Sequence, residues 1–163
     1  MEEPVSRIDV FTGYSYLTPH ATVNTTLLDG SKYPLKYGSV DYGAIGSVAY
    51  FMNRYVGGVA EYANHELGRN DGFHDLMGGL IMRLPSHGAT PFVHVMAGGI
   101  KVGGPNGEPV VYHRYTWGTG LKAGGGLDFD GGFFHHHVGI RVFQADYIYM
   151  HADFGPQPVD GGR

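Results

Sequence analysis

The sequence predicts an all-β protein: an antiparallel up-and-down β-barrel of the eight-stranded type, with seven strands evident in this chain. Three observations predict it. Apolar residues recur on every second position, as in Leu121, Ala123, Leu127 and Phe129, with Lys122, Gly124, Gly126 and Asp128 between them. The alternate face is glycine with scattered charges of both signs, which suits a barrel with an apolar outside and a narrow polar inside. The connections alternate short and long, and no segment shows the 3.6-residue period of an amphipathic helix.

The strands follow in order. Arg7–Leu17 sets Val10, Tyr14 and Tyr16 on the apolar face, with Asp9 and Ser15 opposite. A long link, Thr18–Val40, contains Asp29-Gly30, a strong turn signal between extended segments, and so reads as a hairpin of its own. Asp41–Phe51 sets Val48 and Tyr50 outward and Ser47 inward, and Val56–Asn64 sets Ala60 and Tyr62 outward and Glu61 inward. Phe73–Leu84 places Leu76, Leu80 and Met82 against Asp75 and Arg83; Phe92–Val102 places Val93, Val95 and Ala97 against His94. Thr116–Phe129 divides Leu121, Ala123 and Leu127 from Lys122 and Asp128, and Val138–Met150 divides Val138, Ile140 and Val142 from Arg141. Strict alternation would send Gln144 and Asp146 outward, so a bulge is expected near Phe143. The short turns are Met52–Tyr55, Pro85–Pro91 and Asp130–His137; the other long links are His65–Gly72 and Gly103–Tyr115.

Composition agrees. The 163 residues suffice for one domain, with a barrel core at about 7–150 and a polar C-terminal segment at 151–163. Charged residues make up 16%, against roughly 25% in average soluble domains. A net charge of −4 argues against a nucleic-acid surface. The absence of cysteine excludes disulfides, thiolate metal sites and cysteine nucleophiles. Met1-Glu2-Glu3-Pro4 lacks the basic start and apolar stretch of a signal peptide, so an exported protein would be present here in mature form.

Bacterial single-chain barrels have even strand numbers. An eighth strand is missing, because His151–Arg163 carries Pro156 and Pro158 and is too polar for a lipid-facing strand. The edge of Val138–Met150 is therefore expected to be occupied by direct closure onto Arg7–Leu17, by a strand from another chain, or by a removed C-terminal segment.

Several strings are family-like. They are Asp9-Val10-Phe11-Thr12-Gly13-Tyr14-Ser15-Tyr16-Leu17, Gly46-Ser47-Val48-Ala49-Tyr50-Phe51-Met52-Asn53-Arg54-Tyr55, Thr90-Pro91-Phe92-Val93-His94, Gly124-Gly125-Gly126-Leu127-Asp128 and Ile140-Arg141-Val142-Phe143-Gln144-Ala145-Asp146-Tyr147. Together they resemble the outer-membrane β-barrel domain family of OmpA/OmpX type, in an acidobacteria-like version. The resemblance spans about Ile8 to Tyr149. It implies an eight-stranded barrel with a plugged lumen, no catalytic residues, and a last strand ending in an aromatic residue. This chain departs from it by lacking that strand.

The residues that carry chemistry are the inward charges. Glu61, Asp75 and Asp128 can balance Arg83, Lys122 and Arg141, since a buried charge must be paired. They read as a polar plug that fixes strand register, because small barrels fill their interiors with side chains. An ion or solute path is the sharper alternative. Tyr14, Tyr16, Tyr50, Tyr62, Trp117, Tyr147 and Tyr149 fall near strand ends, where amphipathic rings suit a membrane interface. His135-His136-His137 cannot converge on one metal from an extended backbone, so no metal or other cofactor is expected. Asn24-Thr25-Thr26 matches a glycosylation pattern that a bacterial context leaves silent. Gly124-Gly125-Gly126 lies in a strand pattern, with no Lys-Ser/Thr after it, so it is not a phosphate loop. No serine, histidine and acid spacing points to a hydrolase, and an enzyme is not expected.

The sequence thus leads to a small barrel of a Gram-negative outer membrane. Its role would be structural or one of surface interaction, and its partner the lipid bilayer. A β-rich assembly subunit, completed by a strand-donating neighbour or as a homo-oligomer, is the second reading. A soluble barrel binding a small apolar ligand is the third.

Overall fold

The computed structural model describes residues 7–20, 22–26, 30–36, 38–65, 72–86, 88–103, 115–133 and 138–152, and only the backbone at 22–26, 33, 35–36 and 130–133. All its regular elements are strands: β1 (Ile8–Leu17), β2 (Thr22–Thr26), β3 (Lys32–Lys36), β4 (Val40–Phe51), β5 (Val56–His65), β6 (Phe73–Arg83), β7 (Ala89–Gly103), β8 (Tyr115–Phe133) and β9 (Val138–Ala152). Seven form one antiparallel sheet in the order β1-β4-β5-β6-β7-β8-β9, curled into a half-barrel. β2 and β3 pair separately as a hairpin, with Gly30 at φ 83° in the connection that the Asp29-Gly30 signal marks.

Every strand expected from alternation is present, and its faces fall as the alternation requires. Val10, Val48, Leu76, Leu80, Val95, Leu121 and Val142 are exposed. Glu61, Asp75, Arg83, His94 and Lys122 are buried. The inner face also carries an apolar core of Phe51, Phe73, Met77, Phe92, Met96 and Ile100. The Met52–Tyr55 turn is closed by Asn53, whose Oδ1 accepts the backbone N–H groups of Tyr55 and Val56 at 2.8 and 2.9 Å.

The slip near Phe143 is a bulge. Leu127 pairs with Phe143 and Asp128 with Arg141, so Val142 is the extra residue. Val142 and Phe143 both point outward, and Gln144 and Asp146 return to the inner face. Three strands run at least two residues further than their sequence suggested, β9 among them: it ends at Ala152, taking His151 and Ala152 from the segment expected as a polar tail. β7 starts at Ala89 and takes Pro91 into the ladder opposite Leu127. The proline carbonyl accepts the Leu84 N–H at 2.9 Å, so its missing N–H lies on the β6 side, where β6 has already ended. β8 continues to Phe133 through a register irregularity after Phe129.

The inner glycines permit the curl. A Cβ on Gly98 would overlap the Leu76 carbonyl oxygen and crowd the Met77 backbone. Gly98→Ala is therefore expected to cost about 1–3 kcal/mol, read from urea unfolding of the folded protein.

Direct closure of β9 onto β1 does not occur among the described residues: each stands at an edge of the sheet. The reason is topological. With seven up-and-down strands, β1 and β9 run in the same direction, and joining them would require a parallel ladder in an otherwise antiparallel sheet.

Candidate functional site: the lumen network and the seam

The inner face carries all six charged residues expected there and adds Asp9, Ser15, His65, His94, Gln144 and Asp146 to them. Lys122, on β8, is 2% exposed and sits between two strands' carboxylates. Its Nζ donates to Glu61 Oε1 at 2.8 Å and to Asp75 Oδ2 at 2.9 Å. These are the most enclosed charges of the described residues, with Glu61 2% and Asp75 1% exposed. Arg141, on β9, grips Asp128 on β8 with two bonds, Nε to Oδ1 at 2.7 Å and Nη2 to Oδ2 at 3.0 Å. Such a fork fixes both distance and orientation.

Gln144 connects these clusters. Its Oε1 accepts from Arg141 Nη1 at 2.6 Å. Its Nε2 donates to Glu61 Oε2 at 3.2 Å and to Asp146 Oδ2 at 2.7 Å. The amide therefore uses one acceptor and both donors. Asp146 Oδ1 meets His94 Nε2 at 2.8 Å. At the short-turn end Arg83 pairs with Asp9, and its guanidinium lies 3.4 Å from the Phe51 ring centre. At the long-link end His65 Nε2 and Ser15 Oγ are 2.9 Å apart.

The expected residues thus pair, but Arg83 takes Asp9 rather than a member of the expected set. The hydrogen-bond partners of the Glu61, Asp128, Lys122 and Arg141 side chains are charged groups and Gln144. The bulge was the signal for Gln144 and Asp146, and alternation was the signal for Asp9, Ser15 and His94. Nothing in the sequence marked His65, which stands at the very end of β5.

A cleft of about 800 Å³ opens on the β1–β9 side. Its walls include Phe11 and Ser15 from β1, His65 from β5, and Arg141, Gln144 and Asp146 from β9. Arg141 spans it, lying 4.1 Å from the Phe11 ring centre and 4.2 Å from that of Phe92. One side chain therefore ties both edge strands to the core. Arg141→Ala is expected to lower stability by about 2–3 kcal/mol, below the ~3–5 of a fully enclosed pair because Asp128 keeps contact with water. Thermal unfolding in detergent checks this; an unchanged transition would remove Arg141 from the interior.

The outer face is the reverse. Tyr14, Tyr16, Tyr50, Tyr62, Trp117, Tyr147 and Tyr149 are all exposed. The mid-sheet row Tyr50–Gly58–Leu80–Val95–Ala123–Tyr147, read through the register, holds no charged residue. The neighbouring row Val48–Ala60–Gly78–Ala97–Leu121–Tyr149 holds none either.

His135-His136-His137 and the polar segment 153–163 lie outside the described residues. Among the described residues no three histidine or acidic side chains could hold a metal ion. No family model, no curated protein and no solved structure matches the chain. None of the three comparisons links the chain to the OmpA/OmpX-type family.

Proposed function

We propose that this protein is a small β-barrel of a bacterial outer membrane, with a structural or surface-interaction role and a plugged polar lumen. One observation carries the reading: the outer face of the sheet is apolar, while the inner face holds paired charges beside an apolar core. Asp9, Glu61, Asp75, Arg83, Lys122, Asp128, Arg141 and Asp146 point inward, while valine, leucine and tyrosine, with Trp117, dominate the exposed face of the seven-stranded sheet. Water-soluble monomers rarely expose a contiguous apolar surface beyond a few hundred Å². A bilayer makes the same surface favourable. The paired lumen charges support a plug rather than a conduit, since Lys122 is enclosed by its two acids and Gln144 is fully bonded.

The open seam favours a second element of the reading, strand exchange. Unsatisfied backbone groups at membrane depth each cost several kcal/mol. A strand lying between β1 and β9 would be antiparallel to both and would satisfy both edges. In a bilayer the seam would be filled by a strand-donating neighbour, by a second copy of the chain or by a removed C-terminal segment. The mixed polar walls of the cleft give a soluble barrel for an apolar ligand less support.

Detergent dependence tests the membrane reading. The folded protein is expected to stay in solution only with detergent or lipid. A stable 17.7 kDa monomer in detergent-free buffer would contradict both elements.

A further inference from the structure

The outer face of the seven-stranded sheet carries one lysine and, among its described side chains, no other fixed charge along the strands, save Asp41 exposed at the rim where β4 begins. That lysine is Lys101, two residues from the long-link end of β7. The register places it beside His74 on β6 and Trp117 on β8, with Asn64 next beyond His74. One row across four strands therefore holds Asn64, His74, Lys101 and Trp117, all close to the long-link ends. Lys101 Nζ lies 4.5 Å from the Tyr115 ring centre and 5.8 Å from that of Trp117. No carboxylate of the described residues pairs with it. Trp117 is 73% exposed. His74 joins the cluster through its ring, 5.8 Å from Tyr115, and through the Tyr62 hydroxyl, 3.1 Å from Nδ1.

We infer that Lys101, with Trp117 and Tyr115, forms a headgroup site for an anionic, phosphate-bearing lipid at the long-link rim. This rests on the membrane reading above. The rings hold the ammonium against the sheet and leave its N–H donors available. One row, Tyr62–Leu76–Gly99–Thr119, separates it from the apolar row Ala60–Gly78–Ala97–Leu121, so acyl chains below and a headgroup beside Lys101 belong to one molecule. A cation with no carboxylate partner among the described residues meets an anionic headgroup by charge complementarity. A zwitterionic headgroup offers it less, because its own ammonium cancels the phosphate.

Trp117 is the sole tryptophan of the chain and reports on its own surroundings. The protein is folded into phosphatidylcholine vesicles that contain a small fraction of either brominated phosphatidylglycerol or brominated phosphatidylcholine. Quenching of Trp117 is compared at equal bromine content. Enrichment of the anionic lipid by about fivefold is expected, falling with added salt. Lys101→Gln should abolish the preference and Lys101→Arg should keep it, each with an unchanged β-type circular dichroism spectrum. Equal quenching by the two lipids would overturn the site and leave the membrane reading standing. No quenching by either would overturn both.

Discussion

Lys122→Met is expected to destabilise the protein by about 3–5 kcal/mol, the largest effect of any single change in the lumen. Methionine nearly matches the lysine stem in volume, so packing beside Met96, its partner across the β7–β8 ladder, would change little. What is lost is the ammonium that neutralises Glu61 and Asp75, both enclosed with it. Two carboxylates would then face each other with no cation between them. Gln144 still donates to Glu61, but one amide bond does not replace an ion pair. A triple change, Lys122→Met with Glu61→Gln and Asp75→Asn, should recover much of the loss, since it removes the stranded charges as well. Urea unfolding in micelles measures both variants. A loss below about 1 kcal/mol for Lys122→Met, the range of an exposed pair, would mean that water reaches the cluster.

Arginine at Leu80, Val95 or Ala123 is expected to cost about 2–4 kcal/mol each in a bilayer. The three are direct partners in one row of β6, β7 and β8. All three point away from the lumen, so arginine there makes no steric demand on the core. The same substitutions should be nearly neutral if the face meets water. Arginine two rows nearer the long-link rim, at Thr119, should cost less than at Ala123, because the penalty falls toward the interface. Equal tolerance at all depths would argue for a soluble half-barrel.

Alternation made most of this fold legible. Each strand shows its two faces with period two, and charge on the inner face is visible wherever a lysine, arginine or acid interrupts an apolar run. The bulge at Val142 was legible because Gln144 and Asp146 could not both point into lipid. Pairings were not legible. Arg83 meets Asp9 from 74 residues away, and Lys122 meets Asp75 from 47, so only the sheet register decides them. The extension of β7 through Pro91 was hidden because the harm done by a proline depends on which neighbour its nitrogen faces. The row of His74, Lys101 and Trp117 was hidden for the same reason: three strands contribute one residue each. Cleft and seam follow from strand count, which the sequence showed as odd. It did not show that the two edges would be left apart.

The absence of native cysteine allows a direct depth measurement along β7. Single cysteines are placed in turn at Phe92, Val93, His94, Val95, Met96 and Ala97, and the folded protein in lipid vesicles is exposed to a water-soluble maleimide and, separately, to a lipid-borne quencher after labelling in denaturant. A membrane-spanning barrel with a plugged lumen predicts strict alternation: labels at 93, 95 and 97 contact lipid, those at 92, 94 and 96 do not, and none of the six reacts with the aqueous reagent. Rapid aqueous labelling at 93, 95 and 97, with no quenching by lipid, would contradict it.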